Sequence, residues 1–177
     1  MLLSPPSIQQ AGKKLFHRLA TLDDLPAIVA IYNSTIASRQ VTADIEPVTV
    51  ASRLEWFNEH SADKRPIWVL ENDGKILGWL AYSNFNPRAA YIHTAEISIY
   101  IAQDARGKGL GGYFLTEAIA YASTLNIHTL VGLIFAHNEP SLKLFERFGF
   151  ERWANMPGVA VLDGLGRDLV IVGKRVA

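Results

Sequence analysis

The spacing of apolar residues in the first third of the chain predicts one strand followed by two helices. Residues 15–20 are typical of a short strand, and apolar positions at helical spacing follow the hydroxyl N-cap Thr21. Residues 34–47 show no clear period, which favours a loop with a broken helix. Thr49 is placed to cap a second helix, whose expected inward-facing residues are Leu54, Trp56 and Phe57.

A turn sequence in the middle of the chain predicts a β-hairpin. The apolar runs 66–70 and 76–82 flank Asn72-Asp73-Gly74-Lys75. Asp-Gly between two such runs favours a tight turn, because the turn requires the positive φ that glycine adopts readily. A polar loop over 83–90 and a third strand over 95–101 are expected to follow.

The last third of the chain predicts two helices and three strands. A long amphipathic helix should begin at Leu110, and the β-branched and apolar content of 129–135 predicts a buried strand. Asn138 is expected to cap a further helix that has Pro140 in its first turn and ends at Gly149. Two final strands are expected around 153–156 and 169–174, separated by the glycine-rich residues 163–166.

This order of elements predicts the fold class. The sequence β-α-α-β-β-β-α-β-α-β-β indicates a single α/β (α+β) domain, in which helices cover both faces of a central mixed sheet. We expect this domain to span residues 15–177. Residues 1–14, which contain two prolines after a very short apolar start, are expected to form a flexible N-terminal tail.

Composition and charge exclude several functional classes. The 177 residues contain 17 basic and 17 acidic side chains, so no overall field favours nucleic acid or an anionic membrane. No run approaches the roughly 18 apolar residues of a membrane span. The absence of cysteine excludes disulfides, a thiol nucleophile and cysteine-based zinc sites, and the five histidines show no ligand spacing. We therefore expect a cytoplasmic protein without a metal, a membrane or a nucleic-acid partner.

The glycine-rich segment 106–112 carries the clearest chemical signal. Four glycines lie between a predicted strand and a predicted helix, where the backbone can approach a ligand closely. The free N–H groups and the dipole at the start of a helix favour a phosphate, and two cations lie at the same place. The candidate phosphate-binding residues are Arg106, Gly107, Lys108, Gly109, Leu110, Gly111 and Gly112.

Two other nucleotide-binding motifs fit this segment poorly. The Gly-x-x-x-x-Gly-Lys-Ser/Thr string of a P-loop is not present. Residues 107–112 formally match the dinucleotide pattern Gly-x-Gly-x-x-Gly, but residues 102–106 separate the first glycine from the strand. The next strand also continues into Ala136 and His137 rather than into an acidic residue, which disfavours NAD.

Two motifs together resemble the GNAT superfamily of N-acetyltransferases. Motif A of that family, Gln/Arg-x-x-Gly-x-Gly/Ala, is matched by Arg106, Gly109 and Gly111. A second motif, Asn-x-x-Ser/Ala on a helix that ends in Gly-Phe, is matched by residues 138–141 and 148–150. The strings Ile31-Tyr32-Asn33 and Glu96-Ile97-Ser98-Ile99-Tyr100-Ile101 are similar to the phosphinothricin or methionine sulfoximine N-acetyltransferase branch.

The resemblance implies acetyl-CoA as the co-substrate and assigns residues to it. In this branch the loop matching residues 107–112 holds the pyrophosphate, and the residue matching Asn138 touches the cofactor. The backbone of the strand residues matching Ile99, Tyr100 and Ile101 pairs with the pantetheine arm. The family fold also implies a splay between the strands near 95–101 and 129–135.

Glu96 is the candidate catalytic residue, because it begins the strand beside the expected thioester. Its carboxylate is placed to take the proton of the attacking amine or to attract the ammonium, while a backbone N–H near Ile99 polarises the thioester carbonyl. Many relatives use a tyrosine as the acid toward the leaving thiolate, but Phe145 occupies that position here. The position of a histidine proposed as catalytic in some relatives is held by Asp163.

A small amino-acid-like acceptor is the expected second substrate. Arg88 is a candidate partner for its carboxylate, and the branch implies contacts at the positions of Ala89, Ala90 and Tyr91 as well as Glu96. His93 lies nearest the expected site but is assigned no role, and Tyr32 and Trp79 are expected in the core or in a pocket wall. Two alternatives remain, a peptide N-acetyltransferase and a non-catalytic acyl-CoA sensor. The branch also implies a homodimer, for which Trp153 is a candidate interface residue.

Overall fold

The fold is known from a computed structural model that describes residues 7–10 and 13–177, with side chains from Leu15 onward. In this part of the chain four α-helices and eight strands are present. The helices are α1 (Leu25–Ile36), α2 (Leu54–Asn58), α3 (Leu110–Tyr121) and α4 (Glu139–Arg147). The strands are β1 (Ser7–Gln10), β2 (Lys13–Leu19), β3 (Ile67–Asn72), β4 (Lys75–Asn84), β5 (Thr94–Ile101), β6 (Thr129–Phe135), β7 (Glu151–Leu162) and β8 (Leu165–Arg175).

All eight strands form one mixed sheet in the order β1-β2-β3-β4-β5-β6-β8-β7. The β5–β6 pair is parallel and the other pairs are antiparallel, which confirms the expected mixed and mostly antiparallel sheet. Strands β5 and β6 pair only over Thr94–Glu96 and Thr129–Val131. Beyond Glu96 the two strands diverge, so the predicted splay is confirmed.

Helices pack on both faces of the sheet, and the alternation of side chains along β4 shows how the two cores divide. Trp79 and Ala81 lie in one core with α1, whereas Leu80 and Tyr82 lie in the other core with α3. Successive residues of a strand point to opposite faces, so a strand buried on both sides reads as a continuous apolar run. The run 76–82 is such a segment.

The predicted hairpin is confirmed, and the last two strands are longer than predicted. Asp73 and Gly74 have φ angles of 50° and 76°, as a tight turn between β3 and β4 requires. Strands β7 and β8 extend the expected 153–156 and 169–174 segments into one long hairpin, with its turn at Asp163 and Gly164. Pro157, Gly158 and Gly166 obscure the strand pattern in the sequence, because both residue types are disfavoured in strands.

Three further expectations differ from the structure or lie partly outside it. Helix α1 continues to Ile36, into the segment expected to be a loop. Leu54 is exposed, so its expected inward orientation is wrong, whereas Trp56 and Phe57 do pack against the α1 core. Part of the expected N-terminal tail, 1–6 and 11–12, lies outside the described residues, and the remainder contributes β1 and the first two residues of β2.

An arginine joins the start of α1 to the sheet. The Arg18 Nη1 and Nη2 atoms donate to the Asp24 Oδ2 and Oδ1 atoms at 2.7 and 2.9 Å. The Arg18 Nη2 atom also donates to Glu71 Oε2 on β3 at 2.6 Å. These hydrogen bonds lower the pKa of the Asp24 carboxyl, with the Arg18 bond as the largest cause.

No helix in the described ranges is long and apolar enough to span a membrane.

Candidate active site

The glycine-rich loop forms the entrance to helix α3 and holds two left-handed glycines. Gly107 and Gly109 have φ angles of 72° and 79°, and Gly109 is the N-cap of α3. The Tyr113 N–H makes the first helical bond to the Gly109 carbonyl at 3.0 Å. The N–H groups that precede it have no partner within the helix, so they are exposed at its positive end, where an anion can bind.

An open groove of about 480 Å³ runs between this loop and helix α4. The Arg106 side chain lines the groove and also donates from Nε to the Ile101 carbonyl at 3.2 Å. The Lys108 ammonium instead donates to the Asp104 carbonyl at 2.9 Å, which ties the loop to the preceding turn. The groove is lined by Ile101, Ala105, Arg106, Gly107, Gly109, Leu110, Gly111, Gly112, Pro140, Ser141, Lys143, Leu144 and Arg147.

Helix α4 contributes cations that the sequence analysis missed. Lys143 and Arg147 stand one turn apart on the side of α4 that faces the loop, so they add positive charge to the same groove. Their spacing of four residues, on a helix predicted to follow Asn138, was a signal available in the sequence. The arrangement of free N–H groups, glycines and three cations suits a pyrophosphate.

A narrow slot opens where β5 and β6 diverge. Its walls include Ile97 to Tyr100 of β5, together with Leu133 and Ile134 of β6. Beyond Glu96 the backbone groups of β5 that point toward β6 have no strand to bond, so they are available to an extended ligand. The slot therefore has the form expected for a linear chain laid along an open strand edge.

Asn138 and Phe145 close the far side of this slot. Asn138 is buried and its Oδ1 atom accepts a hydrogen bond from the Ser141 N–H at 3.3 Å, which confirms the predicted cap of α4. Phe145 is also buried and packs edge-on against Phe150. A phenyl ring offers no proton, so this position supplies no acid to a leaving group.

A second cavity, of about 100 Å³, lies on the α1 side of the same strand. We call it the acceptor cavity. It shares Ser98 and Tyr100 with the slot, so the two spaces adjoin at β5. The acceptor cavity is lined by Ile28, Val29, Tyr32, Val48, Arg53, Trp56, Trp79, Ala81, Ser83, Ser98 and Tyr100.

Four aromatic residues, Tyr32, Trp56, Trp79 and Tyr100, line the acceptor cavity. Trp79 stacks on Tyr100 with ring centroids 4.4 Å apart, and Trp56 meets Trp79 edge-on at 5.7 Å. The buried Trp79 indole donates from Nε1 to the Ile28 carbonyl at 3.1 Å. Trp79 and Tyr32 are therefore pocket-wall residues, as the sequence analysis expected.

Glu96 lies beside the acceptor cavity. It pairs with Ser83 across β4 and β5, and it precedes Ser98 by two positions, so the three side chains share one face of the sheet. Burial raises the pKa of the Glu96 carboxyl, and the hydrogen bond from Ser98 partly opposes that rise. Such a carboxylate is a stronger base near neutral pH than an exposed one.

A half-buried histidine, His60, contacts Ser83. The His60 Nδ1 atom is 2.7 Å from the Trp56 carbonyl, which only accepts, so Nδ1 carries the proton of the neutral ring. The Nε2 atom is 3.3 Å from Ser83 Oγ and is then the acceptor. Burial lowers the pKa of His60, which favours this neutral form. No motif in the sequence indicates His60, which lies 36 residues before Glu96 in the chain.

Arg53 is the charged side chain among the residues that line the acceptor cavity. Its guanidinium lies 5.0 Å from the centre of the Tyr32 ring, and its Nη2 atom donates to Asp44 Oδ2 at 2.7 Å. The Tyr32 hydroxyl donates to the same Asp44 oxygen and is also hydrogen-bonded to Thr42. Arg53 is thus held in place by a ring and a carboxylate, and the sequence analysis did not identify it.

The predicted acceptor contacts at 88–91 are not among the residues that line the acceptor cavity. Arg88 and Ala89 line a separate polar cavity of about 460 Å³ that also contains Arg65. Residues Ala89–Tyr91 form a short 3-10 turn, and the exposed Tyr91 ring packs edge-on against Phe85. Glu96 therefore shares a face of the sheet with Ser83 and Ser98 of the acceptor cavity, whereas Arg88 lines the separate cavity.

Sequence comparison identifies relatives across most of the chain. The model of the Acetyltransferase (GNAT) family matches residues 28–150. YwnH of Bacillus subtilis, named as a candidate phosphinothricin acetyltransferase, is 52% identical over 161 residues, which are 90% of this chain and 98% of YwnH. The L-methionine sulfoximine/L-methionine sulfone acetyltransferase of Pseudomonas aeruginosa is 35% identical over 156 residues, 88% of this chain and 91% of that protein.

Solved structures share the fold. A GNAT superfamily phosphinothricin acetyltransferase from Sinorhizobium meliloti, solved in complex with AcCoA, has a TM-score of 0.85 at 26% identity and covers 91% of this chain and 88% of its own. Ribosomal-protein-alanine N-acetyltransferase from Brucella melitensis has a TM-score of 0.85 at 32% identity. The match covers 90% of this chain and 99% of the Brucella chain. The splayed strands, the glycine-rich loop and these matches agree, and the chain belongs to the GNAT family of acetyltransferases.

Proposed function

We propose that this enzyme transfers the acetyl group of acetyl-CoA to the amino group of a small amino-acid-like acceptor, of the phosphinothricin or methionine sulfoximine type. The observation that carries the proposal is the meeting of two spaces at one strand. The slot between β5 and β6 and the acceptor cavity share Ser98 and Tyr100, and Glu96 lies next to both serines of that cavity. The names of the relatives from Bacillus and Pseudomonas support the substrate class.

The groove between the loop and α4 suits the pyrophosphate of coenzyme A. The free N–H groups at the start of α3 and the cations Arg106, Lys143 and Arg147 are the groups that would hold it. The open edge of β5 at Ile99 to Ile101 would hold the pantetheine arm by backbone hydrogen bonds. The thioester would then lie in the slot beside Ser98.

Glu96 is proposed as the base. Its carboxylate accepts one proton from the acceptor ammonium, and the free amine then attacks the thioester carbonyl carbon. A C–N bond forms and the C–S bond breaks, so the products are the acetamide and the coenzyme A thiolate. The second proton of the nitrogen goes to that thiolate. A thiolate is a good leaving group, which is consistent with Phe145 in the position that relatives fill with an acid.

A thiol-release assay with acetyl-CoA tests this function. We expect turnover with phosphinothricin, methionine sulfoximine or methionine sulfone, and little with peptides. Glu96→Gln should lower kcat by about 100-fold, within the usual contribution of a general base, and leave acetyl-CoA affinity nearly unchanged. Glu117→Gln is a matched control, because burial also raises the pKa of Glu117, which lies on α3 and not among the residues lining the acceptor cavity.

The proposed role of Glu96 also predicts how kcat/KM depends on pH. The active form of the base is the carboxylate, so kcat/KM should fall as the pH drops through the pKa of Glu96. Burial raises that pKa, so the fall should begin at a higher pH than an ordinary glutamate would give. Glu96→Gln should abolish this acidic limb. If Glu96→Gln kept native turnover and the same fall of kcat/KM at acidic pH, Glu96 would not be the base.

A peptide acceptor is the second candidate, favoured by the likeness to the Brucella ribosomal-protein-alanine N-acetyltransferase. Turnover restricted to peptides in the same assay would establish it and refute the amino-acid proposal. Binding of acetyl-CoA without turnover of any amine would instead indicate a non-catalytic sensor.

We also propose that the enzyme is a homodimer that covers the β7–β8 hairpin. Several large apolar side chains of this hairpin are exposed, and a concentration of such residues on one hairpin is typical of a protein interface. Val161 has the highest exposed fraction among them, 66%. The exposed residues are Trp153, Met156, Val159, Val161 and Leu165.

A further inference from the structure

We infer that Arg53 binds the α-carboxylate of the acceptor, so that the enzyme acts on free amino acids and discriminates against amines without a carboxylate. The inference rests on the proposed acetyl transfer and specifies its substrate. It assigns to Arg53 the role that the sequence analysis considered for Arg88. Arg53 lines the acceptor cavity with Ser83 and Ser98, whereas Arg88 lines a separate cavity.

The donors of Arg53 are only partly used. Its Nη2 atom donates to Asp44, and among the described residues the Nε and Nη1 atoms have no hydrogen-bond partner. An arginine has five N–H donors in a planar fork and can hold two carboxylates at once. The remaining donors of Arg53 can therefore take a second carboxylate without displacing Asp44.

Arg18 shows the completed form of this arrangement in the same molecule. Its guanidinium holds Asp24 with two bonds of 2.7 and 2.9 Å and also holds Glu71 at 2.6 Å. Arg53 holds the carboxylate of Asp44, and among the described residues no second carboxylate is bonded to it. The acceptor would supply the second carboxylate.

The surroundings hold the Arg53 fork in a fixed orientation. The Tyr32 ring lies 5.0 Å from the guanidinium, and the Tyr32 hydroxyl fixes the Asp44 carboxylate that binds the other side. A guanidinium fixed in this way loses little side-chain entropy when a ligand binds. The side-chain exposed fraction of Arg53 is 30%, so the donors are reachable from the cavity and partly shielded from water.

The acceptor can engage both ends of this cavity at once. An α-amino acid carries its ammonium and carboxylate on one carbon, so a carboxylate on Arg53 leaves the ammonium directed toward the Ser98 and Glu96 side. The side chain of the acceptor would then contact the aromatic wall formed by Trp56 and Trp79. A peptide N-terminus or a lysine side chain has no carboxylate at this distance from the amine.

The experiment compares each acid with its decarboxylated analogue. L-Methionine sulfone and L-phosphinothricin are assayed beside the amines that lack only the α-carboxylate, with native enzyme and with Arg53→Gln. We expect native enzyme to prefer the acids, and Arg53→Gln to lower kcat/KM for the acids by about 10- to 100-fold, mainly through KM. Turnover of the amines should change less than about threefold, the size of an ordinary surface substitution.

Three variants separate recognition from structural support. Arg53→Lys keeps a charge beside Asp44 and should retain part of the preference for acids, which provides a test if Arg53→Gln does not fold. Asp44→Asn removes the negative charge beside Arg53 and keeps an oxygen that can accept its hydrogen bond, so the variant should keep the preference. Arg88→Gln should leave the preference unchanged. Acetyl-CoA affinity and thermal unfolding of each variant report on the integrity of the fold.

Each contrary outcome has a distinct meaning. Equal losses for acids and amines in Arg53→Gln would show that Arg53 only supports the fold, and a loss confined to Arg88→Gln would assign the carboxylate to Arg88. Equal native turnover of acids and amines would refute the inference and leave the proposed acetyl transfer intact. No turnover of either class would refute the proposed function and the inference with it.

Discussion

Replacing Gly109 by alanine tests whether the loop shape itself recognises the cofactor. Gly109 has a φ angle of 79° at the start of α3, and a Cβ atom built there meets no other heavy atom within 4 Å. The substitution therefore adds no clash and only the cost of a left-handed conformation. That cost is about 1–2 kcal/mol for a residue with a side chain.

The cost can appear in two measurements. If the variant loop keeps the left-handed shape, the free energy of unfolding falls by about 1–2 kcal/mol, which lowers Tm by roughly 2–8 °C for a chain of this size. If the free loop relaxes instead, binding must restore the shape, and the acetyl-CoA Kd rises by roughly 5- to 30-fold. The two losses together should account for the full backbone cost.

Gly74→Ala is the matched control. Gly74 has a φ angle of 76°, also meets nothing within 4 Å, and lies in the β3–β4 turn. It should show the loss of stability and no change in acetyl-CoA affinity. Thermal unfolding and calorimetric titration measure both quantities. A Gly109→Ala protein with native Tm and native Kd would refute the assigned loop conformation, and equal Kd changes in both variants would refute its role in binding.

Two further predictions concern stability and assembly. Because the pKa of Asp24 is lowered in the folded state, its contribution to stability is present above about pH 4 and is lost as the pH falls through the lowered value. Asp24→Asn should therefore cost about 1–3 kcal/mol in urea unfolding at pH 7 and progressively less below pH 4; curves for the two proteins that stay parallel from pH 7 to pH 3 would contradict this. If the proposed homodimer forms, Val161→Asp should convert it to a monomer in light scattering, while Leu22→Asp, which changes an exposed leucine before α1, should not. A native protein that is monomeric at assay and millimolar concentrations would end the dimer proposal.

Local signals predicted most of the fold. Asp73-Gly74 specified a hairpin because the turn needs two positive φ angles, and Asn138 specified a helix start because its side chain accepts a backbone N–H. Strand β7 was predicted too short, since Pro157 and Gly158 conceal a strand that is held by pairing with β8. Pairing across a sheet is a tertiary effect that residue preferences report poorly.

The glycine-rich loop of the candidate site could be predicted from the sequence, and the residues of the acceptor cavity much less so. The glycine-rich loop lies in one stretch of sequence, so its chemistry is visible there. The acceptor cavity instead collects Arg53 from the segment before α2, Ser83 from β4 and Ser98 from β5. Nothing in a single sequence indicates that these residues meet, because the distances between them depend on how α1 and α2 pack against the sheet. Arg88, near Glu96 in the chain, lies in another cavity for the same reason.

The alternation of side chains along β5 has a consequence for how such an enzyme can change. Ile97, Ile99 and Ile101 pack toward α3, whereas Ser98 and Tyr100 line the acceptor cavity on the opposite face. Substitutions at the even positions can therefore reshape that cavity while the odd positions continue to hold the strand against the cofactor side. Variant libraries at Ser98 and Tyr100, with Glu96 kept, would sample new amines; because both residues also line the slot, acetyl-CoA use should be measured beside acceptor use. The packing of the strand can therefore stay constant while the two spaces that meet at its even positions change together.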